Sequence, residues 1–149
     1  MRIRIIAIGR MRDASLEGII ERYRVRLPWT LEVVELQPRG RHVGMEAEAA
    51  LIEAKLEPGH EVIALDERGR DLSSREFAAH VSRVVDDGVP TLDFIIGGAD
   101  GLTPRLRHRA GRLLAFGRAT WPHMLVRAML VEQLYRASTI ISGHPYHRD

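Results

Sequence analysis

The chain has 149 residues, 45% of them hydrophobic, enough to build a real core within one domain. Its formal charge of +2 comes from 22 basic and 20 acidic residues, and Lys55 is the only lysine. There is no cysteine, which excludes disulfides, Cys-ligated zinc and a thiolate nucleophile; Lys55 sits in no G-x-x-x-x-G-K-[ST] context, which excludes a P-loop; and no run approaches the roughly 18 apolar residues of a membrane span.

Arg2 to Ile8 (RIRIIAI) is an apolar, β-branched run closed by Gly9 and predicts a buried strand. It follows Met1 directly, with no signal-peptide h-region, so a cytoplasmic protein is expected. Leu16, Ile19, Ile20 and Tyr23 share one face of a helix predicted from Asp13 to Arg26, which Asp13 or Ser15 would cap and Pro28 would stop. Leu31 to Leu36 predicts the second strand. A Pro-, Gly- and Arg-rich loop from Gln37 to Gly44 then leads to a helix from about Met45 to Leu56, punctuated by Pro58-Gly59. Glu61 to Leu65 predicts the third strand, ending in the turn Asp66-Glu67-Arg68-Gly69-Arg70.

Ser73 and Glu76 have the spacing of a capping box for a helix through Val85, which Asp86-Asp87-Gly88 ends. Thr91 to Ile96 predicts the fourth strand, stopped by Gly97-Gly98. A short helix follows Thr103-Pro104, Arg112 to Phe116 predicts a fifth strand, and a long helix runs from near Pro122 to about Ser142. Strands alternating with helices predict an α/β fold, a mostly parallel sheet with helices on both faces, occupying residues 1–149 as a single domain.

Ligands of such sheets bind at the carboxyl ends of the strands. Three segments leave strand ends there: Leu65 to Gly69, Ile96 to Leu102, and Phe116 to Pro122. Gly97-Gly98-x-x-Gly101 lets backbone approach a ligand closely, but it also suits an ordinary strand-to-helix turn, and it is not the G-x-G-x-x-G dinucleotide fingerprint.

The last helix is apolar nearly all round, with only Glu132, Arg136 and Thr139 as a polar stripe. A subunit interface is the expected way to bury it in so small a chain. Arg127 lies on its apolar side with Leu134 and Ser138 and must pair with a carboxylate, a carbonyl end or a ligand. The tail His144-Pro145-Tyr146-His147-Arg148-Asp149 suits phosphate contact and base stacking; a disordered terminus and a His-x-x-His metal pair are the competing readings.

Charge is segregated along the chain. Residues 1–26 carry net +4, residues 27–100 net −8 and residues 101–149 net +6. Basic ends that meet in the fold would present an acidic partner such as RNA with a basic face; solvated surface charge is the alternative. The near absence of lysine fits a GC-rich genome.

The segments MRIRIIAIGR, VIALDERGR, FIIGGADGL and ATWPHMLVRAMLVEQLYRASTIISGHPYHRD together resemble the RlmH family of bacterial ribosomal large-subunit methyltransferases, over the whole length. Ala99-Asp100 stands where members often carry Pro-Glu or Ser-Asn, and the final Asp149 is an end variation.

The resemblance implies the SPOUT class, whose C-terminal segment forms a trefoil knot. It implies a homodimer that binds S-adenosyl-L-methionine and methylates N3 of a pseudouridine in 23S rRNA of the assembled ribosome, without a metal. Carried onto this chain, cofactor contacts fall on Leu65, Gly97, Phe116, Gly117, Arg118, Ala119, Thr120 and Trp121. The catalytic candidates are His147 as base, Arg148 for charge stabilisation and phosphate contact, Tyr146 for stacking or orientation, and Arg127. Two other classes remain open at this point: a non-catalytic RNA- or ribosome-binding factor with a structural glycine loop, and a small oxidoreductase, against which the missing fingerprint argues.

Overall fold

The computed structural model describes residues 1–41 and 43–148. Five strands and five helices follow the predicted order: β1 (Arg2–Ile8), α1 (Ala14–Arg24), β2 (Thr30–Leu36), α2 (Met45–Glu53), β3 (Glu61–Asp71), α3 (Ser74–Asp86), β4 (Thr91–Ile96), α4 (Pro104–Arg109), β5 (Arg112–Ala115) and α5 (His123–Ser142). Pro145–His147 adds a 3₁₀ turn. The strands form one sheet in the order β2-β1-β4-β3-β5, and every ladder between them is parallel.

The helix ends obey local chemistry. Asp13 accepts from the backbone N–H of Ser15 and Leu16 at the start of α1. Ser73 and Glu76 form the reciprocal capping box at α3. Thr103 accepts from Leu106 N–H to start α4, with Pro104 in the first turn. Gly143, in the left-handed region, ends α5.

The crossovers share one hand. Those that step toward the β2 edge run through α1 and α3, and those that step toward the β5 edge run through α2 and α4, on the opposite face. Period-two alternation divides the sheet between two cores. Ile3, Ile5, Ile63, Leu92 and Phe94 pack under α1, α3 and α5, while Ile6, Ile8, Val62, Ala64 and Ile95 pack under α2 and α4.

Two element ends and one side-chain placement depart from the sequence reading in ways that matter to the packing. The second helix stops at Glu53 and not at Leu56. The third strand does not end at Leu65: its pairing with β5 breaks after Leu65 and resumes at Arg70 and Asp71, so Asp66 to Gly69 are an excursion within a strand. A Cβ on Gly69 would lie 2.7 Å from the backbone of Leu113 and Leu114, so only glycine fits this close passage of β3 over β5. Thr139, expected on a polar stripe, is buried and donates its hydroxyl to Arg136 O.

Among the described residues no helix is long and apolar enough to cross a membrane.

Candidate active site

Because all five strands are parallel, every loop leaving a carboxyl end emerges at one end of the molecule. There, over β3, β4 and β5, lies a cavity of about 630 Å³, within the range that holds small-molecule ligands. Leu65, Ile96, Leu114, Phe116 and Val126 give it apolar walls, and Asp66, Glu67 and Asp100 give it acidic groups.

Two side-chain bonds shape the loop from β5 to α5. Trp121 Nε1 donates to Phe116 O at 2.8 Å and closes the loop on itself. Thr120 Oγ1 donates to Glu67 Oε2 at 2.8 Å and ties the loop to the β3 excursion. The Trp121 ring remains 43% exposed at the mouth, an aromatic face available to a ligand.

The β4–α4 loop is built for close approach. Gly98 and Gly101 form an isolated bridge, and a Cβ on Gly97 would lie 2.5 Å from Gly101 O. Any side chain at Gly97 would push the loop out of shape.

Beneath this loop sits Glu48 of α2. It accepts a hydrogen bond from the Gly98 backbone N–H, its Oε2 is buried without a partner, and a Cβ on Gly98 would meet Oε1 at 2.7 Å. Burial, opposed by the Gly98 bond and reinforced by Asp100, raises the pKa of Glu48 above the ordinary carboxylate value. A raised carboxyl pKa means that the ionised form destabilises the fold. That penalty is absent at acid pH and grows as pH rises from the unfolded-state value through the folded one. Glu48→Gln keeps an acceptor for Gly98 and removes the charge. The variant is therefore expected to melt above the wild type at neutral pH, and the two melting temperatures should converge below about pH 4. A wild type as stable as the variant at pH 7 would refute the assignment.

The cofactor residues expected from sequence largely converge. Leu65, Gly97, Phe116, Gly117, Ala119, Thr120 and Trp121 all line this one cavity, whereas Arg118, on the same loop, is exposed and outside the lining.

The catalytic candidates fall elsewhere. Arg127 is buried and spends its guanidinium on protein atoms: Nη1 on Glu35 Oε2 at 2.8 Å, and Nη2 on Ile8 O and Gly9 O, both at 2.7 Å. It thus meets both the carboxylate and the carbonyl end that its apolar setting demanded, and it pins α5 to the end of β1.

Tyr146 packs against Tyr23 and Tyr135. Its hydroxyl donates to Glu132 at 3.1 Å, and Arg136 lies over its ring, 5.1 Å from the centroid. Burial, then bonding to Tyr23 and the charge of Glu132, pushes its pKa well above the ordinary phenol value, so it acts as a neutral donor. The backbone carbonyl of His147 faces Arg136, its Nδ1 is buried without a partner, and Arg148 is exposed at φ 29°. Asp149 lies outside the described residues.

The chain does not bring this tail to its own cavity. Tyr146 docks at Glu132, six residues beyond the cavity-lining Val126, which at about 1.5 Å per residue is about 9 Å further along α5.

Sequence reasoning passed over two residues at the site. Glu48 reads as one more solvated acid on α2. His123 opens α5 and lines the cavity, and burial followed by the charge of Arg127 lowers its pKa, so its imidazole is neutral at pH 7. Its place immediately after a strand-end loop, next to Pro122, was the available signal. Among the described residues no group of three or more His, Asp or Glu side chains is arranged to hold a metal.

Residues 1–147 match the family model described as "Predicted SPOUT methyltransferase". The chain is similar in fold to a probable methyltransferase from Bordetella pertussis, with a TM-score of 0.58 at 20% identity over 91% of this chain and 95% of that one. Fold and family model thus define a SPOUT methyltransferase, and membership implies the C-terminal trefoil knot, a rare exception to unknotted chains. The chain is also 48% identical to the ribosomal RNA large subunit methyltransferase H of Rhodospirillum centenum and 47% identical to that of Cereibacter sphaeroides, each over 99% of both chains. It belongs to the RlmH family within that class.

Proposed function

We propose that the chain acts in the cytoplasm as a one-domain, homodimeric methyltransferase. It would use S-adenosyl-L-methionine to methylate N3 of a pseudouridine in 23S rRNA of the assembled ribosome. The observation that carries this is the convergence of Leu65 before the β3 excursion, Gly97 after β4, and Phe116, Gly117 and Ala119–Trp121 after β5 on one cavity. The rRNA substrate rests on the family relatives, whose names specify the ribosomal RNA large subunit.

The cavity suits the cofactor. The tight Gly97–Gly101 packing fixes the shape of the loop that lines the cavity, the apolar walls suit an adenine, and Glu67 and Asp100 suit a cationic group. When bound, the cofactor supplies an activated methyl group on a sulfonium. The residues then have to align the base, exclude water and handle the N3 proton. His147 is the proposed base, Arg148 offsets the charge developing on the base carbonyls, and Tyr146 orients the tail as a neutral donor. Arg127 positions: it fixes α5, and with it His123, against β1.

A two-fold dimer resolves the separation of tail and cavity. Leu125, Met129 and Ile140 remain part-exposed on one face of α5, an apolar strip that a second copy would bury. In an antiparallel pair centred near Met129, residues 132 to 136 of one protomer face residues 122 to 126 of its partner. Each tail would then reach the other cavity.

Incubation of ribosomes with the protein and labelled cofactor, followed by mass spectrometry of the 23S rRNA, tests the reading. One added methyl on a pseudouridine is expected. Ribosome binding with no S-adenosyl-L-methionine affinity would instead select a non-catalytic factor, and NAD affinity an oxidoreductase.

A further inference from the structure

Two loops at the same end of the sheet as the cavity carry arginines that neither the cofactor nor the tail uses. Arg10 and Arg12 lie between β1 and α1, and Arg39 and Arg41 between β2 and α2. All four are exposed, and their guanidinium groups make no hydrogen bond or ion pair among the described residues. Parallel strands put both loops at the same end of the sheet as the cavity. From β2 to β5 there are four inter-strand steps of about 4.8 Å, so that end is about 19 Å across. The arginines occupy its β2–β1 half and the cavity its β4–β3–β5 half, with exposed Arg118 on the far flank.

Most acids at this end are engaged, although Glu17 in the first turn of α1 is exposed beside the Arg10–Arg12 loop. Asp13 caps α1, Glu35 holds Arg127, Asp66 faces Arg68 and Arg107, Glu67 accepts from Thr120, and Glu46 faces Arg105. Asp100 and Glu48 sit at the glycine loop and not beside the arginines. The opposite end mixes both signs: Arg83 and Arg112 lie close to His80 and Glu61, with Asp86 and Asp87 in the adjoining turn.

We propose that Arg10, Arg12, Arg39 and Arg41 form a phosphate-binding ledge that holds folded RNA beside the cavity, so that the substrate is gripped by the N-terminal half of the chain as well as by the tail. Guanidinium is the cation best matched to phosphate, through its planar fork of donors. Contacts of this kind position nucleic acid without reading sequence, which suits a row of arginines on two separate loops. The ledge rests on the RNA-methylating reading for its partner, and its test is chosen to fail separately from that reading.

The test measures affinity for purified 70S ribosomes by anisotropy of labelled protein between 50 and 200 mM salt, without cofactor. It compares wild type, R10Q/R12Q/R39Q/R41Q, and a control, R26Q/R109Q, whose arginines are exposed near the opposite end. Loss of four phosphate contacts should weaken binding at least about tenfold at 150 mM salt and make the log–log salt slope shallower by about 3. The control should match wild type, and S-adenosyl-L-methionine affinity and melting temperature should be unchanged in all three.

Unchanged affinity and slope in the four-fold variant would overturn the ledge. So would an equal loss in the control. Weaker binding at an unaltered salt slope would also overturn it, pointing to contact with a ribosomal protein. Failure of the wild type to methylate rRNA would sink the proposed function, while the binding data would still decide the ledge.

Discussion

Asp93→Ala is expected to lower the unfolding free energy by about 3–5 kcal/mol, measured by urea denaturation at neutral pH. Asp93 is fully buried in the middle of the sheet. Its two oxygens accept from Arg4 Nε and Nη2, each at 2.7 Å, and His60 Nδ1 lies 3.0 Å from Oδ2. Arg4 and Asp93 are register partners on adjacent parallel strands, both on the α2–α4 face among Ile6, Ile8 and Ile95. The remaining guanidinium donors reach Glu57 Oε1 and Lys55 O at 2.9 Å.

Removing the carboxylate leaves a cation 6% exposed, with Glu57 at the surface as its only carboxylate. An uncompensated buried charge is what makes the loss large. Removing both partners is a different matter. The double variant Arg4→Met with Asp93→Leu should recover most of the loss, because two apolar side chains of similar size replace the pair without leaving a charge behind. A loss below about 1 kcal/mol for Asp93→Ala would mean that water reaches the pair and that the network contributes little.

This network also marks where sequence reasoning stops. RIRIIAI declares itself a buried strand through its β-branched run, and nothing local says that Arg4 points inward with the isoleucines. Its partner lies 89 positions away, and only the β1–β4 pairing makes them neighbours. Asp66 to Arg70 failed in the same way. Asp-Glu-Arg-Gly has the composition of a turn, and locally it is one; that the chain rejoins β5 at Arg70 is a long-range fact.

Glu48 has the same cause. One acid among several on α2 carries no local sign that the β4–α4 loop will close over it. What was legible is whatever a short window determines: strand and helix order, the capping box, the need of Arg127 for a partner, and the two strand-end loops after β4 and β5. Those loops found the cavity because parallel topology forces them to one end. The tail was legible as a cluster of donors and aromatics, but its docking on Tyr23 and Tyr135 depended on how α1 and α5 pack.

The largest effect on activity is expected from separating tail and cavity between subunits. His147→Ala/Arg148→Ala removes the proposed base and cation while leaving Tyr146 packed on Glu132 and the two tyrosines. Gly97→Ala drives a methyl group to within 2.5 Å of Gly101 O and displaces the loop that cradles the cofactor. Each variant alone should turn over ribosomes at about 1% of the wild-type rate or less, since general acid–base help alone contributes about 10²–10⁴-fold. Co-refolded in equal amounts, half of the dimers are mixed. In each of these one cavity combines an intact loop with the partner's intact tail, and the other combines both defects. Activity should therefore return to about a quarter of wild type. If each tail served its own chain, no combination would restore a complete site and the mixture would stay at the level of the parents. Light scattering of the wild type adds a separate check, because a monomer at working concentration would leave the tail stranded about 9 Å along α5 from the cavity it must serve.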